Sequence, residues 1–549
     1  SALPPALAFL VAPLALVLQT NFFGRDQRYF GWHALAMVIV TPFVLRLVLR
    51  DARRAVIILT MAVYPLALYA YWNAMSRTTA EGKLHANYFE DGHSLLPASE
   101  YLRGERAYRD ILPAHGLLED GFFDYLVFQT GDVTIGRTLK TREVVSTLMI
   151  VALYFLAWAV TGSAEGALLA VLLSIMMGTC SPNLRLLPPT ITLALIAGAV
   201  RWRKPRWFGY AGFATVICGI SSLDMAFYAF VTLIVALVRT RRGVRPALIG
   251  IAAAVVPLFL SFLFLGILDD FFRGTFFEVL RVGPAYTLGF YIPPELLRVR
   301  RFFPEVLSAA LDPVAFEYLF WPVMAVFAGV TVTRRWSRRF EPLVLIAVFG
   351  VLTGISYAER FHLYFGAVAS LLVAAFVARR RSLILAAAAL VLANPTTHFS
   401  VVGINRITHA PPPDWVEVRE IPRARGALWH ANDAAAIRSV QKYVSLSLQA
   451  DETFFDFANS GILYFLFRRD CPIRQYEVAF YQSEDAQREV IRRIEENPKI
   501  RAALVTRTPN GRNIVDVPNA WRAPLVQQYI ETHFEPDFEE GEIAFWRRK

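Results

Sequence analysis

Asn87-Tyr88-Phe89-Glu90-Asp91-Gly92-His93-Ser94 stands a short way beyond the apolar run Ala55 to Tyr71, and that adjacency decides how the chain is read. Two neighbouring carboxylates and a histidine close to a bilayer are costly unless they serve a purpose. A segment with Leu95, Ala98, Tyr101 and Leu102 on one helical face follows, and then Tyr108-Arg109-Asp110-Ile111-Leu112-Pro113-Ala114-His115-Gly116. The whole connection, residues 72–142, is far longer than a simple turn between helices needs to be. Its two amphipathic stretches, Leu95 to Leu102 and Leu117 to Phe128, are expected to lie flat on a membrane surface.

The surrounding chain sets that loop in a membrane. Of 549 residues, 55% are hydrophobic and 18% charged, and the formal charge is +11. The apolar residues fall in runs with charged punctuation, the pattern of a polytopic α-helical membrane protein rather than of one large soluble core. About thirteen runs are long enough to span a bilayer. They centre near residues 10, 41, 63, 152, 172, 194, 214, 231, 257, 323, 350, 370 and 388. The first run, Leu3 to Leu18, lacks a preceding basic region and reads as a span, not a cleaved signal. Arg clusters at Arg46 to Arg54, Arg201 to Arg206, Arg239 to Arg245, Arg334 to Arg339 and Arg379 to Arg381 then share one side, the cytoplasmic one. The connection Thr161 to Glu165 carries no basic residue, and Arg25 and Arg28 are a mild exception outside.

This topology places residues 72–142, a second loop at 268–312, the turns at Asp224 and Glu359-Arg360, and the tail 395–549 on the outer side. Residues 1–394 form the transmembrane domain. The tail has shorter apolar runs and reads as an extracytoplasmic α/β domain. Strands are expected at Asp451 to Phe457, Gln475 to Tyr481 and Arg501 to Thr506. Helices are expected at Gly461 to Arg468, Ala520 to Phe534, and Ser483 to Glu496 with Ser483 as N-cap. The tail has no glycine fingerprint for a nucleotide, and an acceptor-binding or lid role suits it better. Topology accounts for the basic excess, and no basic stripe with interleaved aromatics points to nucleic acid. Cys180, Cys218 and Cys471 have neither metal-ligand spacing nor the number for a disulfide framework.

A carboxylate held in the long loop can take a proton from an acceptor hydroxyl while a sugar leaves its phosphate. Glu90 and Asp91 can equally be solvated loop carboxylates or a helix N-cap. Here the residues meet a known pattern. Glu90-Asp91-Gly92-His93, Leu102-Arg103-Gly104, Ala107-Tyr108-Arg109-Asp110 and His115-Gly116 resemble the first outer loop of GT-C fold glycosyltransferases. The nearest pattern is that of the aminoarabinose-transferase-like and protein-mannosyltransferase-like bacterial members. The resemblance implies a bacterial inner-membrane enzyme of the EC 2.4 class, a polyprenyl-phosphate sugar donor and inversion at the anomeric carbon. It also implies an acidic base in this loop, carried here to Asp91 with Glu90 as the alternate. In the family the acidic loop usually follows the first span, whereas here it follows the third.

The leaving phosphate needs cations. Arg185, within Ser181-Pro182-Asn183-Leu184-Arg185-Leu186-Leu187-Pro188, sits at an outer span end and is suited to bidentate phosphate contact, although interfacial snorkelling explains it as well. Arg360, with His362 beside it, breaks the positive-inside preference and is the second expected phosphate ligand. His93, His115 and Asp224 are the expected substrate contacts, with helix capping the plain account of Asp224. Arg298, Arg300 and Arg301 can reach lipid head groups. No metal site and no cofactor is expected. The acceptor would be a glycan, lipid or protein outside the cytosol, with membrane lipids as the remaining partner. The rivals are a transporter or flippase of lipid-linked sugars, which predicts broken mid-membrane helices and internal repeats, and a ligase or polymerase using diphosphate-linked glycans.

Overall fold

The computed structural model describes residues 52–76, 84–164, 166–168, 170–171, 182–278, 414–506 and 518–549. The expected spans centred near 10, 41, 172, 323, 350, 370 and 388 lie outside the described residues, wholly or in their central part. So do Cys180, Arg298, Arg300, Arg301, Arg360, His362 and all of the second outer loop beyond residue 278.

Where the chain is described, helices stand on the expected apolar runs. The first is interrupted: α1 (Ala52–Ile58) passes through a π turn (Leu59–Val63) into α2 (Tyr64–Ser76). The acidic loop then contributes the two-residue strand β1 (Leu84–His85), α3 (Gly92–Leu102), a π turn (Leu118–Phe122) and α4 (Phe123–Gln129). Next come α5 (Ile135–Ser146), α6 (Leu148–Thr161), α7 (Leu187–Trp202), α8 (Pro205–Ser221), α9 (Leu223–Thr240) and α10 (Val244–Phe264). Three of these segments are long and apolar enough to cross a membrane: Ile135–Thr161, Leu223–Thr240 and Val244–Phe264. Proline opens α7 and α8, where its missing N–H is no loss. Along α10, Leu248, Ile249, Val255, Val256, Leu260, Leu263 and Phe264 are exposed. An apolar face of that size suits a lipid environment. The stretch closes with α11 (Leu268–Phe272) and a π turn (Arg273–Glu278).

The tail holds β2 (Trp415–Val416), β3 (Ala427–His430), α12 (Ala431–Ser447), β4 (Thr453–Asp456), α13 (Ile462–Phe467) and α14 (Glu484–Glu496). It ends with β5 (Ile500–Thr506), α15 (Asn519–Arg522), α16 (Pro524–His533), β6 (Phe534–Glu540) and β7 (Ile543–Arg548). The larger sheet runs β4-β5-β7-β6, with β4 and β5 parallel and the last two pairs antiparallel. Ser483 caps α14 as expected, its side chain accepting the Ala486 N–H. Two expectations need correction, and one element is added. Gln475 to Tyr481 is no strand: the segment is buried along its whole length and closes in a 3-10 turn at Val478–Tyr481. The helix expected over Ala520 to Phe534 is split, because Pro524 lacks an N–H and disfavours helical geometry at Ala523. The hairpin β6–β7, which the sequence reading left out, completes the sheet.

The smaller sheet joins the two regions. β1, from the acidic loop, pairs in parallel with β3 of the tail, and β2 pairs antiparallel on its other side. His85 stacks on Trp415 with ring centroids 3.8 Å apart. One core then runs through both: Leu95, Leu96 and Ala98 of α3 pack with Trp429, Ile462 and Phe465 of the tail. That overturns the surface-lying reading of Leu95 to Leu102. Nearly every residue of α3 is buried, so the helix is a core element clamped between the tail and the loop's own π turn.

Candidate active site

The acidic stretch folds into a closed turn. The Asn87 side-chain oxygen accepts the N–H groups of Phe89 (3.0 Å) and Glu90 (3.1 Å), and Asp91 Oδ2 accepts the Asn87 N–H at 2.8 Å. Asp91 stands where α3 begins but makes no capping bond with its side chain. Its other oxygen, Oδ1, lies 3.2 Å from Arg142 Nη1 on α5. Arg142 also donates from Nε to Asp124 Oδ1 at 2.9 Å, and its Nη2 touches Asp124 and Ser94. One guanidinium therefore serves two buried carboxylates. Burial pushes the Asp91 carboxyl up, against the pull of Arg142 and the Asn87 N–H and with the push of Asp124 and Glu90, to about 6. A carboxylate tuned there can accept a proton near neutrality. Glu90 is exposed.

Two stacked histidines adjoin Asp91. The His93 and His115 rings lie 5.2 Å apart at 19°. His93 Nε2 is 2.5 Å from Glu477 Oε1, a residue of the tail. His115 Nδ1 is 3.1 Å from Asp120 Oδ1, while Asp120 Oδ2 accepts the His115 N–H at 2.8 Å. Burial works to lower the pKa of His93, but the Glu477 carboxylate overrides it and raises it to about 9. His115 is raised as well, with Asp120 opposing the cost of burial. Tyr476 and Phe480 of the tail close over this pair: the Tyr476 hydroxyl donates to the His93 carbonyl at 3.1 Å, and the Phe480 ring is 6.1 Å from His115.

The loop then reaches the junction of α8 and α9. Gly116 has φ +144°, and a Cβ there would lie 2.5 Å from the Ser221 carbonyl oxygen, so only glycine lets the loop approach the end of α8 this closely. The Leu223 N–H donates to the His115 carbonyl at 3.2 Å. At this junction Arg185 Nη2 is 2.7 Å from Asp224 Oδ2, and Arg185 Nε donates to Ser222 Oγ at 3.0 Å. Ser222 Oγ in turn donates to Asp224 Oδ1 at 2.5 Å. Asp224 lies in the first turn of α9, and its carboxylate pairs with Arg185. Glu119, on the same loop, is half-buried. Burial raises its pKa against the attraction of Arg142, Arg185 and His115.

Asp91, His93, His115, Arg185 and Asp224, singled out from sequence, thus come together in one connected polar region. Glu90 stands at its exposed margin, and Arg360 and His362 lie outside the described residues. Sequence reasoning missed Arg142, Asp124, Glu119, Asp120 and Glu477. Two signals were available. Glu119-Asp120-Gly121 repeats the tripeptide Glu90-Asp91-Gly92, and Arg142 is an arginine at a span end expected to face outward, the same anomaly that drew attention to Arg360. Among the described residues, no group of three or more His, Cys, Asp or Glu side chains is placed to hold a metal ion.

No protein-family profile matches the chain, and no curated protein matches it either. Among solved structures, the chain is similar to the apo oligosaccharyltransferase of Archaeoglobus fulgidus, with 12% identity and a TM-score of 0.43 over 89% of this chain and 74% of that one. It is also similar to the Archaeoglobus fulgidus oligosaccharyltransferase AglB in complex with an inhibitory peptide and a dolichol-phosphate, with 11% identity and a TM-score of 0.36 over 90% and 74%. Likenesses at this level assign neither fold nor activity to this chain.

Proposed function

We propose that this chain is a polytopic GT-C type glycosyltransferase that moves a sugar from a polyprenyl-phosphate carrier to an acceptor on the outer side of a bacterial inner membrane. The acceptor hydroxyl attacks the anomeric carbon, Asp91 takes its proton, and the bond to the phosphate oxygen breaks on the opposite face, which inverts the centre. Arg185 receives the departing phosphate, with Arg360 and His362 as its expected partners. Asp224 holds the Arg185 side chain in place, and His93 and His115 contact substrate. The tail, residues 395–549, closes the acceptor side. The observation that carries this reading is a junction: the loop whose buried Asp91 carboxyl is moved to about 6 also carries His115, whose carbonyl accepts the Leu223 N–H beside the Arg185–Asp224 pair. A general base and a phosphate-binding cation must flank a single reacting carbon, and that arrangement supplies both.

The test is transfer by the purified full chain in lipid nanodiscs. Undecaprenyl-monophosphate and undecaprenyl-diphosphate sugars are supplied in parallel, with the anomeric configuration of the product read by NMR. The expected result is turnover with a monophosphate donor, inversion, and loss of turnover in Asp91→Asn. Turnover only with diphosphate donors moves the chain to the ligase or polymerase class, and movement of intact donor across the bilayer without transfer makes it a flippase.

A further inference from the structure

Three parts of the chain meet at Arg474, a tail residue only 5% exposed. Its Nε donates to the Tyr108 carbonyl of the long loop at 2.7 Å, and its Nη1 donates to both oxygens of Glu278, at 2.8 and 2.7 Å. Glu278 ends the π turn that follows α11. The Arg474 carbonyl in turn accepts the Leu112 N–H at 3.0 Å. The loop turn held in this way is strained. Tyr108 has φ +66°, a left-handed conformation that a bulky residue rarely takes, and such a residue persists only where its surroundings fix it. Its ring packs on Phe262 and Phe271, with centroids 6.1 and 5.1 Å away. A Cβ on Gly274 would lie 3.1 Å from Leu112 Cδ1 and 3.2 Å from Tyr108 Cδ1, so the π turn rests on the same two residues.

Two arms run from this anchor to the histidine pair. Along the loop, Leu112 stands three residues ahead of His115. Along the tail, Tyr476 and Glu477 follow Arg474 closely: the Tyr476 hydroxyl donates to the His93 carbonyl at 3.1 Å, and Glu477 Oε1 lies 2.5 Å from His93 Nε2. We propose that Arg474, by joining the Tyr108 carbonyl to the Glu278 carboxylate, is a positioning residue that holds His93 and His115 in place for sugar transfer. The inference rests on the reading above for the reaction named, but not for the placing of the histidines. Stability alone is a poor account of this arginine, since apolar residues of similar size often replace a buried ion pair without loss. Its Nη2 is buried with no hydrogen-bond partner among the described residues. What the guanidinium supplies is a rigid fork, with Nε on the loop and Nη1 on the π turn. The fork fixes the spacing of those two segments, and both imidazoles are set from there.

The test uses the full chain in nanodiscs, comparing wild type, Glu278→Gln, Arg474→Lys and the double variant Arg474→Leu with Glu278→Leu, which leaves no buried charge unpaired. Thermal unfolding, turnover of the undecaprenyl-monophosphate sugars and the titration of His93 are measured on each. The titration is read by NMR of the 15N-histidine chain, with the His93 signal identified by its absence in His93→Gln. The double variant should melt within a few degrees of wild type. Its kcat/KM should fall by about 10- to 100-fold, the scale of a misplaced reacting group. Its His93 should titrate well below the wild-type value of about 9, as Glu477 draws away from Nε2. Arg474→Lys, which keeps the charge but not the fork, should fall between the two, and Glu278→Gln, which keeps an oxygen for Nη1, should stay within about threefold of wild type. Wild-type turnover and an unshifted His93 titration in the folded double variant overturn the proposal and leave the Asp91 reading intact. Loss of turnover in Glu278→Gln with the His93 titration unmoved gives that carboxylate a part of its own and also overturns the proposal. No turnover by wild type with any donor removes the reaction, while the His93 titration still decides whether Arg474 places the histidine.

Discussion

The two Glu-Asp-Gly segments of the long loop share three residues and a buried aspartate that accepts a backbone N–H, and differ in the rest. In residues 90–92 the aspartate is paired with Arg142 and the glutamate is exposed; in residues 119–121 the aspartate is tied to His115 and the glutamate is half-buried. The same letters thus take different roles because the surroundings differ. A charge that the tripeptide leaves in water is of small consequence, whereas one that the fold draws inward must be matched by a partner. The lesson is that an acidic-glycine motif marks a turn, and the cations delivered from elsewhere decide which of its carboxylates matters.

The most disruptive way to break the comparison is to remove the cation that serves the first segment. Arg142→Ala leaves Asp91 and Asp124 buried without their common partner and should cost about 3–5 kcal/mol of stability, read by denaturant or thermal unfolding. A double variant that also carries Asp124→Asn should recover part of that loss. Next in size is Arg185→Gln, which should weaken donor use by about 10- to 100-fold, the range of a charge-assisted contact, with a smaller change in stability. Unchanged donor KM in that variant would return Arg185 to the plain role of anchoring α9 through Asp224.

A third experiment sharpens the contrast through pH. The His93 pKa is raised from 6.5 to about 9 by Glu477, so the folded chain holds that proton more tightly than the unfolded one. The stability from this pair is full below pH 6.5 and is lost as the pH rises through about 9. Glu477→Gln should flatten stability between those limits, and the protection factors of the amides at residues 475–482, which take out the intrinsic exchange rate, should lose their pH dependence. The smallest effect belongs to Glu90→Gln: an exposed carboxylate should change stability by no more than about 0.5 kcal/mol. A large loss of activity there would transfer the base from Asp91 to its neighbour.

Much of this was legible in the chain itself. The periodic apolar runs announced α6 to α10, and the acidic turn announced where polar chemistry enters, because both signals are local. Ser483 was readable as a cap for the same reason. The docking of tail onto loop was hidden, since β1 is only two residues long and its partner β3 lies more than three hundred residues away. α3 looked like a surface helix because its periodicity shows which face is most apolar, not whether a second element covers the rest. Asp124 and Glu477 were missed for a related reason: each acquires meaning only from a residue delivered by another element, Arg142 in one case and His93 in the other. Gln475 to Tyr481 has the apolar and aromatic content of a strand, but burial on all sides replaced the sheet ladder.

The central claim is that Asp91 is the proton acceptor of a sugar transfer, and the pH dependence of single-donor turnover tests it most directly. Wild-type kcat/KM, measured from pH 4.5 to 8 with a monophosphate-linked donor, should fall on an acid limb near pH 6, where the Asp91 carboxyl takes up its proton. Asp91→Asn should abolish that limb and lower turnover by about 100-fold or more. A folded Asp91→Asn with wild-type turnover and an unshifted limb would contradict the account.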